Sequence, residues 1–219
     1  MAPMIARLHF LTMDDVPVGH VRQVEEACQA GIRWIQLRMK LASDEEVLAA
    51  ARAAKKICSD WDSVLIINDR VAVAAEVGAH GVHLGKQDMA VSEARRILGG
   101  GAIIGGTANT VEDIREHLRQ GADYIGLGPY RYTTTKKNLS PTLGLEGYQR
   151  TMNQMRKEAM HLPVVAIGGI GMKDAVPLLK AGLHGIAFSG MLVHAGDRRQ
   201  VVRTLEEEIK LYDDVDHSR

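Results

Sequence analysis

Short apolar runs alternate with longer amphipathic stretches along the whole 219-residue chain, eight such pairs in all. That alternation predicts a parallel α/β protein. Strands are expected over residues 8–12, 34–37, 64–67, 81–83, 102–105, 124–127, 164–167 and 185–188, with helices between them such as 21–30, 43–58, 70–77 and 145–159. Several helices close on a glycine (Gly31, Gly78, Gly121, Gly182), each suited to the left-handed conformation that ends a helix before the next strand. Ser43 and Glu46 stand at the spacing of a capping box. The phrase Ala-Gly-x-x-x-apolar recurs at 30–35 and 181–186, a weak repeat at the helix-to-strand junction rather than a solenoid period.

Eight such units favour a closed (β/α)₈ TIM barrel over an open doubly wound sheet. Barrels of this kind take about 250 residues, so the chain is expected to form one catalytic domain over 1–219 with few insertions. The only long strand-to-helix connection is 128–144, and a long loop in an economical fold usually carries function. The tail, Asp213 to Arg219, is expected to fray.

Composition narrows the partners. Lysine plus arginine number 27 and aspartate plus glutamate 27, so the formal charge is zero and a general nucleic-acid binder is disfavoured. Neither a signal peptide nor an apolar run of membrane-spanning length is found, so no membrane partner is expected. Cys28 and Cys58 sit in alanine-rich helical stretches and read as buried core thiols, which suits a reducing, cytoplasmic setting.

In a barrel the active site lies at the C-terminal strand ends. After strand two, period-two alternation puts Gln36, Arg38 and Lys40 on one face, where they either crowd the mouth or begin a solvated loop. Strand three ends in Asn68-Asp69, and Asp88 follows strand four; two carboxylates from adjacent strands suit a hard cation such as Mg²⁺, or are N-caps of the next helices. His83 reads as a buried histidine that positions a neighbour, and no partner at zinc-ligand spacing accompanies it. Thr107 follows strand five. The sixth loop holds Thr133-Thr134-Thr135-Lys136, anion-binding chemistry by hydroxyl and ammonium. Glycines after strands seven and eight, including Gly169 and Gly190 beside Ser189, have the placement of a barrel phosphate site, or serve tight turns.

Two anion centres result. Arg38, Lys40, Asn68, Thr107, Lys136 and the two carboxylates make one; Thr133, Thr135, Gly169, Ser189 and Gly190 make the other. A metal-bound polyphosphate beside a separate monophosphate suggests group transfer with pyrophosphate leaving. An isomerase would need only the second centre.

The motifs Gln-x-Arg-x-Lys (36–40), Ile-Asn-Asp (67–69), Gly-Val-His-Leu-Gly-x-x-Asp (81–88), Ala-Asp-Tyr-Ile-Gly-x-Gly-Pro (122–129), Thr-x-Thr-Lys (133–136) and Ile-Gly-Gly-Ile (167–170) resemble, in order, those of the thiamine phosphate synthase family. The resemblance implies a transferase of alkyl or aryl groups in thiamine biosynthesis. It would join 4-amino-2-methyl-5-hydroxymethylpyrimidine diphosphate to a thiazole phosphate, or its carboxylated form, and release pyrophosphate by a dissociative substitution. It further implies that Gln36, Leu37, Arg38, Met39, Lys40, Asn68, Thr107 and Lys136 bind the pyrimidine diphosphate, with Arg38, Lys40, Thr107 and Lys136 catalytic. Thr133, Thr134, Thr135, Gly169, Ser189 and Gly190 would hold the thiazole phosphate, and Asp69 and Asp88 one Mg²⁺. The partners are then small molecules, and a homo-oligomer is compatible with the sequence. Thr107 stands where the family commonly has serine, Met39 where glutamate is frequent, and Lys86-Gln87 where Gln-Glu is usual; the ending Phe188-Ser189-Gly190 also departs. The rivals are a thiazole tautomerase, whose strand-five histidine is replaced here by Asn109, and a non-catalytic ligand-binding barrel.

Overall fold

The computed structural model describes residues 4–132 and 141–216. Eight parallel strands close into a barrel: β1 (Leu8–Leu11), β2 (Trp34–Leu37), β3 (Val64–Asn68), β4 (Gly81–Leu84), β5 (Ile103–Ala108), β6 (Tyr124–Leu127), β7 (Val164–Ala166) and β8 (Gly185–Phe188). Each strand pairs with the next, and β1 closes on β8 through Leu8↔Ile186 and Phe10↔Phe188. The connecting helices are α1 (His20–Ala30), α2 (Asp44–Asp60), α3 (Val71–Val77), α4 (Val91–Leu98), α5 (Val111–Gln120), α6 (Gly144–Lys157), α7 (Ala175–Lys180), α8 (Gly190–Val193) and α9 (Arg198–Asp216).

Local chemistry accounts for the helix ends. Ser43 accepts the Glu46 N–H while the Glu46 carboxylate reaches back to the Ser43 N–H, the reciprocal capping box anticipated from the sequence. Gly31, Gly78 and Gly121 cap α1, α3 and α5 in the left-handed region, at φ 112°, 60° and 82°. Of the tail expected to fray, 213–216 continue α9, where Asp213 accepts a forked pair from Arg7 at 3.1 and 3.0 Å that ties the helix to the segment before β1; 217–219 lie outside the described residues.

Strand alternation sorts the side chains into two cores. The larger fills the layer between strands and helices and includes Ile35, Leu37, Leu65 and Ile67, together with Cys28 and Cys58, both fully buried free thiols. The smaller lies inside the barrel, where Trp34, Ile66, Ile103, Tyr124, Val165 and Ala187 pack together. The layer of inward residues above them is polar. The period-two pattern of β2 therefore sends Trp34, Gln36, Arg38 and Lys40 inward and Ile35, Leu37 and Met39 outward.

His9 stacks on Trp34 with ring centroids 4.4 Å apart, and burial holds its pKa down at about 3, with only the Ala6 carbonyl opposing. A histidine that folds neutral is stabilising above its unfolded pKa of about 6.5, and this contribution is lost as the pH falls from there towards 3. At about 1.4 kcal/mol per pH unit over that span, the loss is on the order of 5 kcal/mol. Denaturant unfolding measured from pH 7 to pH 3 is expected to show falling stability, with a shallower slope in His9→Gln. Equal slopes in the two proteins would show that His9 does not carry the effect.

Candidate active site

The strand C-termini hold two adjoining cavities. The smaller, about 70 Å³, is lined by Gln36, Arg38, Lys40, Asn68, Asp69 and Thr107 among others. The larger, about 380 Å³, is lined by Met13, Arg131, Gly169, Ile170, Ser189 and Gly190 among others. Arg38, Leu11, Ile167 and Ala187 border both. The structure thus brings Gln36, Arg38, Lys40, Asn68, Asp69 and Thr107 to one chamber and Gly169, Ser189 and Gly190 to the other. Leu37 and Met39, expected beside the first group, do not join it: their side chains pack in the outer core and line neither cavity. Thr133, Thr134, Thr135 and Lys136 lie outside the described residues.

Register explains the first chamber. Gln36 pairs with Ile66, Asn68 with His83, and Thr107 with Gly126, so inward side chains of successive strands meet at one height. Gln36 Nε2 donates to Asn68 Oδ1 at 2.6 Å. The Asn68 Nδ2 is buried with no hydrogen-bond partner among the described residues, a donor left for whatever enters. His83 is buried; its Nδ1 lies 3.0 Å from the Tyr124 hydroxyl and its Nε2 2.9 Å from Thr107 Oγ1. The burial expected from the sequence holds, while the group it touches at the chamber is the Thr107 hydroxyl, not a carboxylate.

Asp69 and Asp88 are not helix caps: Arg70 and Ala90 occupy the N-cap positions of α3 and α4. Asp69 holds a left-handed backbone at φ 64°, a conformation disfavoured for most residues but tolerated by Asp and Asn. Its carboxylate contacts Lys40 Nζ and interacts with the carboxyl of Asp88. Burial and the neighbouring Asp88 push Asp69 up to about 6, with Lys40 opposing. Burial works against the Asp88 charge too, but the interaction with Asp69 and the Gly85 N–H, donated to Asp88 Oδ2 at 2.6 Å, bring its pKa below the usual range. Two carboxyls that interact in this way titrate as a pair, and a cation beside them favours their charged forms. Two carboxylates are a donor set that a hard cation such as Mg²⁺ would fit, with its other positions filled by oxygens from elsewhere; no cluster of three or more His, Cys, Asp or Glu side chains suited to a metal occurs among the described residues.

The second chamber is built by backbone. Gly168 and Gly169 have φ of 89° and 72°, and a Cβ on Gly168 would sit 2.8 Å from Pro129 Cβ, so the loop after β7 passes directly against the loop after β6. Sequence reasoning missed the clamp that fixes this contact. Arg131 makes a fork to Asp174 at 2.5 and 2.7 Å, donates to the Gly169 carbonyl and lies over the Tyr130 ring, while the Gly171 N–H donates to Asp174 at 2.8 Å. It also missed Thr12, Asp14 and His20, which surround Arg38. No motif carries these pairs, which are distant in sequence; the only signal was a charged residue beside a strand end.

Fold and mouth together define a (β/α)₈ enzyme barrel with polar chemistry at its C-terminal rim. The family description "thiamine monophosphate synthase" matches residues 10–192, and the chain belongs to that family, which makes it a transferase. It is 48% identical over 190 residues to the thiamine-phosphate synthase of Bacteroides thetaiotaomicron, covering 87% of this chain and 91% of that one. It is 42% identical over 212 residues to that of Flavobacterium johnsoniae, covering 97% and 99%. Among solved structures it superposes on thiamine phosphate pyrophosphorylase from Pyrococcus furiosus with a TM-score of 0.81 at 32% identity, covering 94% of this chain and 96% of the other.

Proposed function

We propose that this chain condenses 4-amino-2-methyl-5-hydroxymethylpyrimidine diphosphate with a thiazole phosphate, or its carboxylated form, to give thiamine phosphate and pyrophosphate. The observation that carries the reading is the pair of adjoining chambers with Arg38 at their border. Coupling needs two substrates side by side, and an isomerase has no use for the first chamber. Family membership supports the same reading.

In this scheme Gln36, Arg38, Lys40, Asn68, Thr107 and Lys136 take the pyrimidine diphosphate. Thr133, Thr134, Thr135, Gly169, Ser189 and Gly190 take the thiazole phosphate. Asp69 and Asp88 would hold Mg²⁺, which when bound supplies charge compensation to the diphosphate. The amino-substituted pyrimidine delocalises positive charge, so the bond from its exocyclic methylene to the diphosphate oxygen breaks with the electron pair leaving on pyrophosphate. Arg38, Lys40 and Lys136 oppose the negative charge that collects there, fixed in place before the reaction. The thiazole nitrogen then supplies the pair for the new C–N bond, so no protein nucleophile is required.

One feature weighs against the tautomerase alternative. Asn109, at the position of that enzyme's histidine, donates its side-chain N–H to the Gly128 carbonyl and its backbone N–H to Asp113, so it serves loop structure. Incubation of the purified protein with both substrates and MgCl₂ is expected to yield thiamine phosphate and pyrophosphate in equal amounts. Binding of both substrates without product would indicate a ligand-binding barrel, and conversion of a thiazole isomer alone would indicate the tautomerase.

A further inference from the structure

The loop after β1 carries a polar network that neither the family motifs nor the scheme above uses. Gln23 of α1 is buried at 3% exposure and makes three hydrogen bonds to that loop: it accepts the Met13 N–H at 2.8 Å and donates to the carbonyls of Met13 at 2.9 Å and Val18 at 2.7 Å. The loop is therefore fixed, and with it Asp14. One oxygen of Asp14, Oδ2, lies 3.3 Å from Arg38 Nη1 and accepts the Lys40 backbone N–H at 3.3 Å. The other, Oδ1, faces His20 Nε2 at 3.3 Å. His20 Nδ1 lies 2.9 Å from Thr12 Oγ1, and that fully buried hydroxyl accepts the Arg38 backbone N–H at 2.8 Å.

Hydrogen-bond accounting fixes the proton at one end of the imidazole. The imidazole Nε2 faces a carboxylate, an acceptor only, and so carries a proton. Burial favours the neutral ring over the charged one, with Asp14 opposing, which leaves Nδ1 as an acceptor beside the Thr12 hydroxyl; that hydroxyl also has the Arg38 carbonyl as an acceptor at 3.1 Å. The contacts then close on themselves: Arg38 N–H and carbonyl to the Thr12 hydroxyl, that hydroxyl to His20 Nδ1, His20 Nε2–H to Asp14, and Arg38 guanidinium to Asp14. Both ends of one buried arginine are held in a single ring, and the backbone of Lys40 is held by the same carboxylate. Arg38 is 7% exposed as a side chain and would otherwise pay heavily for its burial.

We propose that Asp14 and His20 are positioning residues that set the Arg38 guanidinium and Lys40 for the diphosphate group. The inference rests on the functional reading above only in naming diphosphate as the anion that Arg38 and Lys40 meet. The test is direct binding of inorganic pyrophosphate, with MgCl₂ present, to the full chain, alongside turnover and thermal melts. Asp14→Asn is expected to weaken pyrophosphate binding about tenfold and lower kcat/KM for the pyrimidine diphosphate by at least as much, with its melting temperature near that of wild type. His20→Ala should weaken binding several-fold, and His20→Gln, whose amide can both donate to Asp14 and accept from Thr12, should recover most of it. A merely structural role would lower the melting temperature and leave the pyrophosphate affinity of the folded protein unchanged. Wild-type affinity in Asp14→Asn, or in His20→Ala should Asp14→Asn not fold, overturns the proposal, as does equal loss in His20→Gln and His20→Ala. A wild-type protein that binds pyrophosphate but forms no thiamine phosphate overturns the functional reading alone, and the binding comparison still decides the role of Asp14. No pyrophosphate binding by wild type overturns both.

Discussion

Asp88→Asn is expected to lower turnover by roughly 10²–10³-fold with the fold intact. A bound divalent cation contributes several kcal/mol of charge stabilisation in such reactions, and each 1.36 kcal/mol is a factor of ten. The asparagine keeps an oxygen to accept the Gly85 N–H, so the turn that follows β4 survives, while the second negative charge beside Asp69 is gone. Asp88→Ala should lose activity to the same extent, and stability as well, because the Gly85 N–H then lacks its acceptor. The second chamber does not include Asp88, so the KM for the thiazole phosphate should stay within about twofold of wild type. Steady-state kinetics over a range of MgCl₂ concentrations, paired with thermal melts, measure all of this. Full activity of Asp88→Asn at low MgCl₂ would remove the cation site from the scheme.

Much of this mouth could be anticipated from the chain because barrel geometry is nearly one-dimensional: a residue at a strand end is at the rim. With the eight strands placed, Gln36, Arg38, Asn68, Asp69 and Thr107 fall at the rim, and the structure removes the two alternatives left open there, a solvated loop for Arg38 and a helix cap for Asp69. Alternation also shows why Leu37 and Met39 fail, since between inward Gln36, Arg38 and Lys40 they must face the helices. What the pattern could not supply were contacts made across loops. Asp14 with Arg38 and Arg131 with Asp174 join segments 24 and 43 residues apart, and ordinary loop charges give no hint of such partners. Strand five was read too short for a related reason. Gly105 and Gly106 look like the end of a strand, yet β5 continues through Thr107 to Ala108. The glycines sit in mid-strand because larger residues from neighbouring elements need their space: Tyr124 and His83 press on Gly105, and His117 on Gly106.

That crowding makes Gly105→Ala a damaging small change, and one that reaches the site. A Cβ there would lie 2.2 Å from Tyr124 Cζ and 2.6 Å from His83 Nδ1. The backbone of β5 is paired on both sides, with Gly105 opposite His83 and Tyr124, so the strand cannot retreat. The Tyr124 ring cannot easily yield either, since it stands edge-on to Trp34 at 5.6 Å and to His9 at 5.4 Å. Overpacking of this kind costs about 1–3 kcal/mol or more, which for a chain of this size lowers the melting temperature by roughly 2–4 °C per kcal/mol. The functional loss should be larger, because the displaced group is the hydroxyl that orients His83, and His83 in turn orients Thr107 in the first chamber. At least a tenfold fall in kcat/KM for the pyrimidine diphosphate is expected. The double variant Gly105→Ala/Tyr124→Leu separates the two effects. Removing the ring relieves the overlap and should return part of the lost melting temperature, whereas activity should stay low, since no hydroxyl remains to hold His83. Recovery of both together would mean that the cost is one of packing alone, and that the orientation of Thr107 does not depend on the tyrosine.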